Sequence, residues 1–169
     1  MIISSKTPKE KMLELGKHCS RSNHCCQFSS GYLAEGDLQQ IAKFMQISED
    51  ELKSGYLEEV SLFNKKVLRP KRVKGGKPYG NCVFLTANGC SIHEVKPLHC
   101  RVYTCRPYGF DLTQWFYLNH VLDKDDPQAL REYAQFLKFQ EPIPGGSLEE
   151  LVPDKDKLKR ILNYERLER

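Results

Sequence analysis

Seven cysteines, Cys19, Cys25, Cys26, Cys82, Cys90, Cys100 and Cys105, are the feature that most limits how this chain folds. They fall in two batches, and residues 27–81 between them carry none. An odd number of thiols cannot all close into disulfides within one chain. The opening MIISSKTPKEKMLELGKHC lacks the basic start and apolar run of a secretory signal. The expectation is therefore a cytoplasmic chain whose thiols stay reduced and act as metal ligands, redox groups or nucleophiles. With 169 residues, 40% hydrophobic and 28% charged, the chain buries a core without needing cysteine staples. That composition excludes collagen-like and wholly disordered readings. No apolar run approaches the roughly 18 residues that a membrane span requires, so no membrane association is expected.

Thiolates are soft donors and suit zinc, copper(I) and iron–sulfur centres better than magnesium or calcium. The adjacent Cys25 and Cys26 cannot form an unstrained disulfide with each other, yet either can bind metal. Neither batch has the compact paired spacing of a zinc finger. A centre drawing on both must tie distant segments together, so that coordination constrains the fold. All seven cysteines are candidate ligands. His24, just before the adjacent pair, and His99, just before Cys100, are the candidate nitrogen donors. His18 and His93 rank behind them, and His120 has no motif around it. One cubane cluster takes four thiolates, whereas two zinc ions without shared ligands take eight donors, which seven cysteines and one histidine supply. An iron–sulfur cluster of the 4Fe-4S type is the preferred expectation and zinc the alternative. A redox-active cluster would also permit electron transfer, and a protein partner of unspecified identity is expected.

The rest of the sequence reads as ordinary local structure. Asp37 with Gln40 predicts a capped helix start followed by the stripe Leu38, Ile41, Ala42 and Met45. Ser48 with Glu51 gives a second capping box, followed by Leu52, Tyr56 and Leu57. The Asn88-Gly89 turn signal, between Cys82-Val83-Phe84-Leu85 and Cys90-Ser91-Ile92, predicts a small hairpin or metal knuckle. Trp115, Phe116, Tyr117 and Leu118 form a core segment that composition leaves open between helix and strand. Asp126-Pro127 starts a helix carrying Leu130, Tyr133, Ala134 and Leu137, and Pro142, Pro144, Gly145, Gly146 and Ser147 break the pattern. A last helix begins near Asp154 with Leu158, Ile161, Leu162 and Leu167. The expected fold is α+β: a mostly helical small domain with a short hairpin or metal knuckles around a cysteine-rich metal centre. Residues 1–145 form the cysteine-cluster domain and 146–169 a C-terminal helical extension.

The formal charge of +4 is a weak excess, but its distribution is uneven. Lys65, Lys66, Arg69, Lys71, Arg72, Lys74 and Lys77 crowd one segment free of acids, just after Glu49, Asp50, Glu51, Glu58 and Glu59. The expectation is a solvated loop or a charge-protected edge strand. Binding of nucleic acid is the alternative if the cations converge, although the segment lacks the aromatic interleaving that stacks bases.

The cysteine patterns resemble those of the YkgJ-like cysteine-cluster family of zinc- or iron-chelating domains. Cys19, Cys25 and Cys26 match the first, third and fourth positions of its CxxCxxCC motif, with Ser22 at the second. Cys82-Val83-Phe84-Leu85, Gly89-Cys90-Ser91-Ile92, Pro97 and Cys100-Arg101 follow its later pattern, with His93 in place of tyrosine and Lys96 in place of arginine. The likeness spans roughly residues 16–110 and implies metal chelation. Cys105 or a histidine is the expected compensation for Ser22. Some relatives look like lysine N-methylases acting on flagellin. The resemblance thus implies, as an alternative, an S-adenosylmethionine-dependent protein-lysine N-methyltransferase, with Glu94 orienting an amine and Tyr103 lining its channel. The sequence lacks the glycine-rich nucleotide-binding turn that would point to that cofactor independently. Arg101 is expected to stabilise thiolate charge, with Asn81, Tyr103 and Arg106 around it.

Overall fold

A two-residue turn with two left-handed residues joins the longest strands. Phe63 and Asn64 have φ of 49° and 55°, the backbone that a tight hairpin between right-twisted strands demands. They connect β1 (Leu57–Leu62) to β2 (Lys65–Pro70), which pair antiparallel from Leu57 opposite Pro70 to Leu62 opposite Lys65. Asparagine tolerates this conformation, whereas a bulky residue such as phenylalanine is strained by about 1–3 kcal/mol. Burial offsets the strain: Phe63 packs edge-on against Tyr117, Tyr133 and Phe136. The tip is further anchored by Asn64, whose backbone N–H and side-chain amide donate to Glu132 and Asp126, each at 2.8 Å.

The computed structural model describes residues 1–105 and 107–167; Arg106, expected near the thiols, lies outside the described residues, as do Glu168 and Arg169. Ahead of the hairpin lie α1 (Lys9–Gly16), the short α2 (His24–Phe28), α3 (Asp37–Met45) and α4 (Glu49–Tyr56). The Ser48–Glu51 capping box forms as expected, with both reciprocal hydrogen bonds. Two miniature ladders follow. β3 (Arg72–Val73) pairs with β4 (Asn81–Cys82), and β5 (Leu85–Thr86) with β6 (Gly89–Cys90). The expected hairpin is present but shorter, because Cys82 pairs with Arg72 on the other ladder and only Cys90 belongs to the turn pair. After a 3-10 turn (His93–Val95) come α5 (Leu98–Val102) and α6 (Gly109–His120). The Trp115–Leu118 segment is thus helical. Then follow α7 (Pro127–Phe136), started by Asp126 and Pro127 as the sequence predicts, α8 (Leu148–Leu151) and α9 (Lys155–Leu162).

The result is a small, mostly helical α+β domain with short hairpins. Its main core gathers Met12, Phe63, Leu112, Trp115, Phe116 and Tyr133 from α1, the long hairpin, α6 and α7. A second cluster, around Ile41, Leu52, Phe84 and Ile92, lies under the miniature ladders. The α9 residues Leu158 and Ile161 pack with Leu130 of α7 and Val152. Among the described residues, no helix is long and apolar enough to cross a membrane.

The basic segment is largely answered from within the fold. Glu58 on β1 accepts from Arg69 at 2.7 Å and from Arg72 at 3.3 Å, and Glu59 faces Lys66 at 3.3 Å. Lys71 donates to the Ser54 carbonyl at 2.6 Å. Glu58 and Glu59 on β1 thus face the bases of β2 across one charged hairpin, while Glu49, Asp50 and Glu51 lie on α4.

Candidate metal centre

Each cysteine-bearing element here is short, so tertiary contacts decide where the thiols point. α2 presents Cys25 and Cys26, β4 presents Cys82, β6 presents Cys90 and α5 presents Cys100. Cys19 and Cys105 lie in the connecting segments. All seven line a single cavity of about 690 Å³, together with His24, His93, His99 and Lys96. The two sequence batches are thereby brought to one place. Among the described residues, however, no group of three or more histidine, cysteine or acidic side chains is drawn tightly enough to hold an ion. The sulfurs share the cavity wall, and Cys25 and Cys26 lie within hydrogen-bond reach of each other.

Their electrostatics show what this arrangement lacks. The Cys26 thiol hydrogen-bonds to Cys25, which brings Cys25 down to about 6 and pushes Cys26 far up. A thiolate at Cys25 is favoured by that donated hydrogen bond. Burial raises Cys82 to about 11 and Cys100 to about 12, and it also raises Cys90. Neighbouring thiols add to the penalty, since Cys82 and Cys25 both act against ionisation of Cys100. Lys96 opposes this trend at Cys25, Cys90 and Cys100. A second thiolate beside Cys25 therefore needs more positive charge than the side chains supply. Tyr103 faces the same group: burial, Cys105, Cys25 and Cys19 all raise its hydroxyl.

The candidate histidines differ sharply. His24 is exposed on the cavity wall, its ring 4.9 Å from Phe28. His99 lies flat between Phe116 at 4.5 Å and Tyr32 at 5.5 Å. Its Nδ1 accepts the Tyr32 backbone N–H at 3.3 Å, and burial holds the ring neutral, down to about 4. A neutral ring that accepts at Nδ1 carries its proton on Nε2, so both nitrogens are committed.

Several expected roles move. Ser22 is exposed, forms no part of the cavity wall, and accepts the His24 N–H at 3.4 Å. Glu94 is exposed on the 3-10 turn, also off the wall, so it cannot orient an amine inside the cavity. Tyr103 does line the cavity. Arg101, expected to face the thiolates, instead pairs with Asp37 at 2.8 Å. Asp37 in turn is not the helix cap: that position is Gly36, at φ 86°.

The family model described as "CxxCxxCC: Putative zinc- or iron-chelating domain" matches residues 18–128. The chain belongs to the CxxCxxCC family. The matched stretch of this CxxCxxCC domain begins just before Cys19 and ends inside α7, so it contains every cavity cysteine but neither α8 nor α9. No curated protein and no solved structure matches the chain.

Proposed function

We propose that this CxxCxxCC domain binds metal through thiolates of the cavity cysteines, and that the bound species is an iron–sulfur cluster rather than zinc. One observation carries the reading: seven sulfurs from separate short elements line the same cavity. The donor set fits the group chemically, being rich in soft sulfur and short of positive charge. Cys25, Cys26, Cys82, Cys90 and Cys100 are the residues that act on one another's ionisation, and they are the proposed core ligands. Cys19 and Cys105, on the Tyr103 side, complete or support the set. The commitment of both His99 nitrogens removes one of the nitrogen donors that a two-zinc scheme would draw on. The donors left on the wall are the seven sulfurs with His24, and a cubane takes four of the sulfurs.

A metal bound here supplies the missing positive charge and stabilises the thiolates. The chain's own contribution is to exclude water with Phe84, Tyr32 and Tyr117, to offset thiolate charge with Lys96, and to keep the Cys25–Cys26 pair singly ionised before binding. The proposal places the protein in a reducing, cytoplasmic compartment.

Anaerobic purification followed by optical spectroscopy and analysis of iron, zinc and acid-labile sulfide tests this. Stoichiometric iron and sulfide with charge-transfer absorption are expected, and both are lost in Cys82→Ser and Cys100→Ser. Colourless protein with stoichiometric zinc replaces the cluster by zinc. Unchanged metal content in both variants removes these cysteines from the site.

A further inference from the structure

Asp37 is 1% exposed, as deeply buried as the core leucines. Its Oδ2 accepts two backbone N–H groups, from Ala34 at 2.7 Å and from Leu98 at 2.8 Å. Its Oδ1 accepts from the Arg101 Nη2 at 2.8 Å. Leu98 and Arg101 lie two residues before and one residue after Cys100, on the single short helix α5. One carboxylate thus grips α5 on both sides of that cysteine. The same carboxylate, through Ala34, holds the strand of chain that forms the opposite side of the Cys100 pocket. There a Cβ on Gly31 would collide with the Cys100 Sγ, and the Tyr32 N–H reaches His99.

A five-residue helix has almost no stability of its own, so its position is set by such anchors. Charge-assisted hydrogen bonds are the strong ones among these. A buried carboxylate is costly unless it is paired, and here the pairing is spent on α5. An acid in the first turn of α3, bonded to Ala34, is ordinary local structure, whereas the bonds to Leu98 and Arg101 reach more than sixty positions along the chain. We propose that Asp37 is a positioning residue of the metal site, fixing the Cys100 thiol through Leu98 and Arg101. This rests on the metal-binding reading above.

The effect of removing a group that orients a ligand is roughly a 10- to 100-fold loss of metal affinity. Asp37→Asn keeps an oxygen for the two amides but turns an amide NH2 toward the Arg101 guanidinium. Arg101→Gln removes the partner and leaves both amide bonds of Asp37, and so guards against a variant that merely misfolds. Affinity is read with Co2+ added anaerobically to reduced, chelator-treated protein, by thiolate-to-metal charge-transfer absorption and competition with a chromophoric chelator. Wild type with neither Co2+–thiolate absorption nor iron and sulfide after anaerobic purification sinks the metal-binding reading itself. Given binding, both variants weaken it 10-fold or more while the far-ultraviolet spectrum is unchanged. The deciding measurement is the alkylation rate of each thiol in reduced, metal-free protein, read by peptide mass spectrometry. If Asp37 acts on Cys100, Asp37→Asn and Arg101→Gln change the Cys100 rate several-fold and leave that of Cys19 near wild type. Unchanged Cys100 alkylation, or wild-type Co2+ affinity in both variants, overturns the proposal.

Discussion

The two halves of this molecule are held together in different ways. On the α6–α7 side, long helices bury Leu112, Trp115, Phe116, Ala129 and Tyr133 almost completely. Buried polar groups there find partners within the fold: the Trp115 indole donates to the Thr7 carbonyl at 2.8 Å, and Gln114 bonds both the Glu141 carbonyl and the Ile143 N–H. On the thiol side, five of the cysteines ride on helices of five residues and on strands of two, and Cys25 and Cys105 are exposed. The first half is stabilised by area removed from water. The second is arranged by single hydrogen bonds, close approaches and the small apolar cluster around Phe84 and Ile92, and burial holds its Cys82 and Cys100 thiols protonated. The two meet at α5, whose Leu98 and Val102 belong to the main core while Cys100 lines the cavity.

The largest expected effect is on the apolar half. Phe116→Ala deletes a fully buried ring and should cost about 3–5 kcal/mol, as core phenylalanine truncations do. Denaturant unfolding measures it. Because Phe116 is also one of the two rings sandwiching His99, this substitution crosses the boundary between the halves. Loss of stability accompanied by unchanged Co2+ binding would show that Tyr32 alone suffices to hold His99.

His99 itself gives the next effect, one that depends on pH. Its folded-state value is pushed from 6.5 down to about 4 by burial. Between those limits the unfolded chain takes up a proton that the folded protein refuses, so stability falls as pH drops from about 6.5 to about 4. The full difference is about 3 kcal/mol. In the presence of chelator, wild type should lose this increment across the window and His99→Gln should not. Parallel curves for the two proteins would mean that the imidazole is not held neutral.

How much of this was legible in the sequence follows the same division. The helices at 37–45, 49–56, 127–136 and 155–162 announce themselves by apolar spacing and caps, because those signals are local. That the two batches of thiols share one region was foreseeable from the cysteine pattern and its family likeness, though among the described residues they do not close around an ion. The histidine sandwich was not: its rings come from residues 32, 99 and 116, and no periodicity links them. Asp37 reads as a cap because a capping acid and a buried clamp look identical within four residues. Of its three partners only Ala34 is local; Leu98 and Arg101 lie more than sixty positions away. The Phe63-Asn64 turn went unsignalled for a different reason. A phenylalanine in the left-handed region is tolerated only because three rings wait to receive it.

On the thiol side a smaller, more selective effect is expected from Gly31→Ala. The new methyl would take the place of the Cys100 Sγ and crowd the Cys100 backbone nitrogen, so the sulfur must rotate away. Metal affinity should drop roughly 10-fold or more, by analogy with disturbing a ligand's support, while the denaturation midpoint of chelated protein moves little. If instead the midpoint falls as far as in Phe116→Ala, the segment around Gly31 belongs to the core and the two halves are not separable.

The smallest effect belongs to the charged hairpin, and its smallness is the point. Glu58 sits between Arg69 and Arg72, whose side chains are 11% and 15% exposed against its own 27%, and both guanidinium groups hold its carboxyl below the usual carboxylate range, against the opposing effect of burial. Exposed ion pairs contribute about 0–1 kcal/mol, and this sheltered one should fall near the top of that range, so Glu58→Gln should shift urea unfolding only slightly. What changes is the field. With Glu58 and Glu59 neutral, Arg69, Arg72 and Lys66 lose the counter-charges they pair with in the fold. Electrostatic binding of a polyanion grows with each uncompensated cation and weakens with salt. A single-stranded oligonucleotide should therefore pass over the wild-type protein and be retained weakly by Glu58→Gln with Glu59→Gln, losing its grip as salt rises. Retention by wild type at physiological salt would give the basic strand a partner outside this chain, and the acidic strand would then be its regulator instead of its complement.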